Sequence, residues 1–406
     1  MNEISKDLKG LDRPENIGNP QMGWASDVAA EMLRRIGVKY ISLNPGASYR
    51  GLHDSIVNYL GNEEPQMIIC LHEDHAVHVA QGYAKATGEP MACALHSNVG
   101  LMHGLMATFN AWCYRAPIIM MGATGPVDSS IRRPWIDWIH TMKDQGALLR
   151  NYVKWDDEPR SAGAIVESMY RANQIARSEP PGPVYICLDA GLQEDALEED
   201  ITIPDASRFL PSDPPRASEA AVAEVADLLL NAKSPLLMIG RSARTMDAWD
   251  ARIKLAEAVG AGVLTNLRNA AVFPSEHLLH IGRPAGGVNP PMREAVNGAD
   301  VIVSLNWQDF GGTQRLLKRD GAIKGKIVHC SLEQYLHNGF GMEVFELPET
   351  DINVNADQDA FVGQLLAEIE RRGAKSNWDG KNKGPEAPKY ELIANRPADN
   401  TIEPAD

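Results

Sequence analysis

Residues 70–97 read CLHEDHAVHVAQGYAKATGEPMACALHS, and this stretch decides the fold. It follows and completes an apolar run, Met67-Ile68-Ile69-Cys70-Leu71, with the length of a buried strand. Ala76, Val77, Val79, Ala80, Tyr83 and Ala84 then recur at helical spacing, and Gly88 stands at the natural C-terminal stop. Met91 to Leu95 is apolar again, so the whole reads as a βαβ unit. Glu73 and His96 each fall just past the C-terminal end of a strand, the edge where open parallel sheets bind ligands. Read alone, Glu73 also has a plainer use as an acidic residue in the first turn of a helix. His72, His75 and His78 follow an i, i+3, i+6 series that drifts around the helix, and HEDH is one residue short of the HExxH zinc pattern. No metal is expected there.

Working outward, residues 1–21 form a polar leader punctuated by Gly10, Pro14, Gly18 and Pro20. A helix is predicted over 25–36, with Val28, Met32 and Ile36 on one face and Gly37 as its stop. The strand Tyr40 to Leu43 runs into Asn44-Pro45-Gly46. An apolar helix over 102–112, a strand at 118–121, an amphipathic helix over 161–177 and a strand within 180–189 complete a first domain, 22–193. Residues 194–215 are acidic and proline-rich and read as an interdomain linker. A second domain, 216–372, alternates helices with strands at Pro235–Ile239, Gly262–Thr265, Val301–Leu305 and Ile327–Cys330. The fold class is therefore α/β, with two doubly wound parallel-sheet domains, the second Rossmann-like. It carries no dinucleotide fingerprint: Gly240 is a single glycine at a strand end, and Ala285-Gly286-Gly287 opens no helix. Residues 373–406 form a polar tail.

Composition bounds the partners. With 406 residues, 44% of them hydrophobic, the chain can bury two cores. A formal charge of −15 excludes non-specific nucleic-acid binding, which needs a basic footprint. The five cysteines include no CxxC pair and read as buried thiols in a reducing compartment. No signal peptide opens the chain and no apolar run approaches the ~18 residues of a membrane span. A soluble, cytoplasmic protein is expected.

Glu73 followed by a small-residue helix carrying Gly82-Tyr83-Ala84 resembles the pyrimidine-binding domain of thiamine diphosphate enzymes. Within that superfamily the resemblance is closest to the benzoylformate decarboxylases. It is carried by Asn44-Pro45-Gly46, Leu95-His96-Ser97, Asn110-Ala111-Trp112, and Val153-Lys154-Trp155 followed by Glu158-Pro159. The likeness implies that Glu73 hydrogen-bonds the aminopyrimidine ring of the cofactor and promotes its imino tautomer. It places the backbone of Asn44, Pro45 and Gly46 against that ring, where glycine permits close approach. Leu71 and Val77 are expected to line the carboxylate. His96 resembles the histidine that moves protons on the substrate side. Two positions depart from the pattern. The serine that holds the substrate carboxylate is Ala47, with Ser48 beside it, and a common asparagine after the LHS turn is His103. Ala47, Ser48, His96 and His103 are thus the substrate-side candidates, and Arg50, Trp135, Trp138 and His140 are candidates for the entrance.

Enzymes of this type have a third domain, in which a GDG motif and an asparagine pair hold the diphosphate through a divalent metal. Asp320-Gly321 and Asp379-Gly380 lack the preceding glycine. The resemblance thus implies a pyrimidine-binding subunit of a two-component lyase or carboligase acting on a 2-oxo acid or related carbonyl compound. A separate subunit would carry the diphosphate-binding domain and Mg²⁺, in an α2β2 hetero-oligomer, and FAD is not expected. The alternatives in the same class are an acetolactate synthase-like carboligase and a 2-hydroxyacyl-CoA lyase subunit. In another class stands a non-catalytic regulatory or scaffold subunit, which has no need of Glu73 or His96.

Overall fold

The computed structural model describes residues 13–14, 17–281, 287–321, 323–333 and 346–381. Chain contacts divide it into two compact units. The first spans residues 1–216 and takes up two later segments, 331–345 and 355–360, while the second holds 217–330, 346–354 and 361–406.

The first unit is built on a six-stranded, wholly parallel sheet. Its strands are β1 (Tyr40–Leu43), β2 (Gln66–Ile69), β3 (Met91–Ala94), β4 (Ile118–Thr124), β5 (Asp156–Asp157) and β6 (Val184–Asp189), in the order β2-β1-β3-β4-β6-β5. Ile41 pairs with both Met67 and Ala92, and Met91 pairs with Ile118, which fixes the register around the central strands. The central strands β3, β4 and β6 are buried on both faces, as a sheet covered by helices on both sides requires. Ile41, Leu43, Ala92, Ala94, Ile119 and Met121 share one core with Val28 and Met32 of the helix Ala25–Arg35 and Ile165 and Met169 of the helix Ala162–Arg177. The alternate residues Met91, Cys93, Leu95, Ile118 and Met120 pack with Ala76, Val77, Ala80 and Ala84 of the helix Glu73–Thr87 on the other face. Gly88 ends that helix at φ 76°, the left-handed cap that glycine adopts freely.

Several expectations are corrected. The run Met67–Leu71 is an edge strand: β2 stops at Ile69, which is 57% exposed, and Leu71 is 91% exposed, so Leu71 does not line the carboxylate. The apolar helix over 102–112 is two helices, Ser97–His103 and Leu105–Tyr114, meeting at Gly104. Part of the stretch read as a linker is held by the first unit: Leu197, Ile201, Ile203, Ala206 and Phe209 pack against its core, and Phe209 stacks on Tyr170 at 4.3 Å.

The first unit also contains a buried ion pair. Arg115 ends the helix Leu105–Tyr114 in a left-handed conformation, lies with its guanidinium 4.2 Å from the Trp112 ring, and donates two bonds to Glu333 at 3.0 and 2.6 Å. Both side chains are almost fully buried, at 0% and 5% exposure.

The second unit has a five-stranded parallel sheet, β7 (Pro235–Ile239), β8 (Gly262–Thr265), β9 (Val301–Leu305), β10 (Lys326–Cys330) and β11 (Ile352–Val354), in the order β11-β10-β9-β7-β8. The short β11, like β5 in the first sheet, is absent from the sequence reading. Leu236, Met238, Ile302 and Ile327 share a core with Met292, Val296 and Phe310 from the neighbouring helices. The start of the predicted tail is docked here. Ser376 Oγ donates to the Glu257 carbonyl at 2.6 Å, and Trp378 packs on His277 at 5.5 Å. The rest of the tail beyond Lys381, and the leader up to residue 12, lie outside the described residues.

Candidate active site

The C-terminal ends of β1, β2 and β3 bring the candidate residues together in two groups. Glu73 opens the helix that follows β2 and is 4% exposed. It is not the helix cap: His72 is, its Nδ1 accepting from the Asp74 N–H at 3.2 Å. Glu73 instead points across to the helix Ser97–His103, where a β-carbon on Gly100 would lie 2.6 Å from Oε1. Only a glycine leaves that space. Among the described residues, the polar partner of the carboxylate is His103, with Nδ1 3.5 Å from Oε2. His103 is largely exposed, and its ring stacks on that of His72 at 4.8 Å and 8°. His103 was expected on the substrate side, and the fold sets it beside Glu73.

The second group is centred on His96, the residue that caps the helix Ser97–His103. Gly46 lies against its ring so closely that a β-carbon there would overlap Cγ and Nδ1. Ser48 Oγ lies 3.0 Å from His96 Nδ1, and His96 Nε2 lies 3.0 Å from His140 Nε2. His140 Nδ1 faces the Ile136 carbonyl at 3.1 Å. A carbonyl only accepts, so with both rings neutral the order is fixed. His140 Nδ1–H donates to Ile136, His96 Nε2–H donates to His140, and the Ser48 hydroxyl donates to His96 Nδ1. Burial, and then the neighbouring His140, push the His96 pKa down, while the negative charge of Glu73 opposes part of that shift. A neutral imidazole poised between a hydroxyl and a second imidazole is suited to proton transfer near neutral pH.

The remaining sequence candidates divide. Ala47 is exposed in the turn Ala47–Tyr49, whereas Ser48 within the same turn reaches His96. The Asn44 carbonyl accepts from the Tyr49 hydroxyl, which ties down the Asn44-Pro45-Gly46 turn. Arg50 pairs with Glu194 at 2.5 Å on the surface. Trp135 and Trp138 are 74% and 75% exposed. His140, expected only at the entrance, is a direct partner of His96, and its backbone carbonyl accepts from Ser97 Oγ at 2.7 Å and Gly125 N at 3.0 Å. Nothing in the local sequence marks that contact across 44 residues. Two buried hydroxyls nearby, Thr124 Oγ1 and Thr141 Oγ1, have no hydrogen-bond partner among the described residues, so polar capacity remains at this edge.

Two motifs prove to be structural. Lys154 reaches the carbonyls of Ile175 and Ser178 that close the helix Ala162–Arg177, and burial pushes its pKa down to about 8. Trp112 of Asn110-Ala111-Trp112 is fully buried under Arg115.

A thiamine-type cofactor fits the Glu73 side of this arrangement. A buried carboxylate with one long polar contact has acceptor capacity for a ring N–H, and the glycines at 46 and 100 keep space at the two groups.

Comparison with known proteins gives the same direction. The family model described as thiamine pyrophosphate enzyme, N-terminal TPP binding domain, matches residues 24–148, and that for the central domain matches 222–334. The acetolactate synthase large subunit of Lactococcus lactis is 24% identical over 359 residues, covering 87% of this chain and 58% of that protein. Benzoylformate decarboxylase of Pseudomonas aeruginosa is 29% identical over 231 residues, covering 56% of this chain and 41% of the relative. The chain thus spans about half the length of the curated relatives it matches. The crystal structure of benzoylformate decarboxylase from Polynucleobacter necessarius superposes with a TM-score of 0.71 at 18% identity, over 90% of this chain and 64% of that one, a likeness of fold. Among the described residues no helix is long and apolar enough to cross a membrane. Two matched domain models covering more than half the sequence decide the matter: the chain belongs to the thiamine pyrophosphate enzyme family.

Proposed function

We propose that this chain is the pyrimidine-binding component of a thiamine diphosphate-dependent lyase or carboligase acting on a 2-oxo acid or related carbonyl compound. The observation that carries the proposal is the buried Glu73 carboxylate seated against Gly100 at the end of β2. The cofactor, when bound, supplies a nucleophilic carbon for addition to a carbonyl. Glu73 would hold its pyrimidine ring and exchange a proton through the carboxylate. Asn44, Pro45 and Gly46 would lie against the ring, and burial of Glu73 keeps competing water away from the carboxylate. Ser48, His96 and His140 form the substrate-side set. His96 offers a proton at Nε2 and accepts one at Nδ1, so one ring can receive a proton from one partner while passing another on. Ala47 and His103 complete the candidates on this edge. The hydrogen-bonded Ser48–His96 pair favours benzoylformate decarboxylase-like chemistry over the acetolactate synthase-like alternative, because it provides a polar handle for a carboxylate or carbonyl oxygen.

The diphosphate and Mg²⁺ are proposed to be held by a separate subunit, in an α2β2 hetero-oligomer of closed symmetry. The lack of any CxxC pair among the five cysteines is in keeping with a proposed cytoplasmic setting. Glu73→Gln tests the central claim, read as exchange of the cofactor C2 proton for deuterium in the reconstituted enzyme. Exchange is expected to slow by ~10²–10⁴-fold, whereas His96→Ala is expected to leave exchange intact and impair turnover. Wild-type exchange in Glu73→Gln removes Glu73 from the chemistry. Calorimetry tests the second claim: tight, Mg²⁺-dependent cofactor binding by this chain alone would remove the need for a partner.

A further inference from the structure

The Glu73 group also holds a donor set whose joint use the cofactor reading does not require. His72, Glu73 and His103 each offer one ligand atom, and these atoms all lie within 4.8 Å of one another. We propose that His72, Glu73 and His103 form a binding site for a first-row transition metal ion of the Zn²⁺ class, and that its occupancy withdraws the Glu73 carboxylate from the cofactor.

Two imidazoles and one carboxylate are the donors such cations take, whereas Mg²⁺ keeps to oxygen ligands. Bonds of about 2.1 Å in a tetrahedral site put neighbouring donors about 3.4 Å apart. Glu73 Oε2 and His103 Nδ1 already stand 3.5 Å apart, close to one edge of that tetrahedron. The His72 and His103 rings stack at 4.8 Å and 8°, so their in-plane lone pairs do not converge, and one ring must turn out of the stack to reach the ion. The exposed member can do so: the His103 side chain is 61% exposed while Glu73 is 6% exposed. A fixed, buried anion with a movable imidazole in front of it is a site that can close on an ion.

His72 sets the energetic cost. Its Nδ1 lone pair holds the Asp74 N–H, so the neutral ring carries its proton on Nε2. Coordination through either nitrogen therefore gives up that cap, at about 1 kcal/mol. Metal–ligand bonds to imidazole far exceed this. His75, whose ring centroid lies 5.8 Å from that of His72, is exposed on the next turn and is not one of the three donors. The sequence could not show the site, because the HEDH spacing lacks a partner and the missing imidazole arrives from a second helix, 30 residues on.

The metal site stands on this geometry alone; the exclusion of cofactor rests on the role given to Glu73 above. Co²⁺ titrated into the untagged full chain is the test, read from its d–d absorption between about 500 and 700 nm. One ion per chain with the intensity of a four-coordinate site is expected, displaced by Zn²⁺. His103→Ala and His72→Ala should each weaken it by at least about 10²-fold, with His103→Gln as a second variant if the alanine chain does not fold, and His75→Ala should leave it unchanged. Undiminished binding in His103→Ala, dependence on His75, or no absorption with Co²⁺ in large excess overturns the site. In the reconstituted enzyme, Zn²⁺ should then compete with thiamine diphosphate. Non-competitive behaviour with the Co²⁺ spectrum intact would leave the metal site standing and overturn the exclusion together with the role of Glu73.

Discussion

The contact between Gly100 and Glu73 gives the sharpest test of the site. In Gly100→Ala the new β-carbon would sit 2.6 Å from Oε1, 3.0 Å from Cγ and 3.1 Å from Cδ of Glu73. Ordinary contact begins at 3.4 Å, so the carboxylate must retreat by about 0.8 Å. The fold can absorb this. Overpacking costs about 1–3 kcal/mol, and replacing a helical glycine by alanine returns about 0.5–1 kcal/mol. The chemistry cannot, because a displacement near 1 Å of a catalytic group costs about 10²-fold in rate, or about 2.7 kcal/mol in the barrier. Gly100→Ala is therefore expected to fold with a net loss of about 0–2.5 kcal/mol and to exchange the C2 proton of bound cofactor about 10²-fold more slowly. Gly82 is the control. It lies on the same helix as Glu73 with nothing within 4 Å of its would-be β-carbon, so Gly82→Ala should gain stability and keep full exchange. Exchange in Gly100→Ala within threefold of wild type would mean that Glu73 does not hold the ring.

Three further outcomes follow from the charges. His140→Phe keeps the burial around His96 but removes the neighbouring imidazole that lowers its pKa. Because His96 works as the neutral ring, the acid limb of the rate profile should move to higher pH, and an unmoved limb would separate His140 from His96. His329 is buried at 4% exposure, accepts or donates at Ser304 Oγ, and has its pKa pushed down to about 4 by burial. The unfolded chain binds a proton there below about 6.5, so stability should fall by about 3 kcal/mol as pH drops from 6.5 to 4. Urea unfolding of His329→Gln should lack that part of the slope. Glu333→Gln leaves the Arg115 guanidinium buried without its counter-charge, at an expected cost of about 3–5 kcal/mol in urea unfolding, whereas an apolar replacement of both should be close to neutral.

Much of this was legible in residues 70–97. Continuous apolar runs giving way to a helical period placed Glu73 and His96 at strand ends without any tertiary information. What pairs with them was not legible. His103 reaches Glu73, and His140 reaches His96, only because helices and loops from other strands converge on one sheet edge. The edge position of β2 was hidden for a related reason, since an apolar run reads the same at the centre of a sheet and at its border until Leu71 is seen in solvent. Gly104 gave no warning of the helix break, and the acidic, proline-rich text of 194–215 concealed the spaced apolar residues that fasten it to the first unit.

The Arg115–Glu333 pair also sets a timetable. Its partners lie 218 residues apart, and Glu333 is made only after residues 217–330 of the second unit have been synthesised. At about 5–20 residues per second, that separation amounts to about 10–45 s of synthesis. Throughout that interval the nascent first unit holds an arginine whose burial has not yet been compensated, so its last step of consolidation waits for the far end of the chain. Of the two units this one is begun earlier, yet its last buried ion pair is completed only after most of the other has been made.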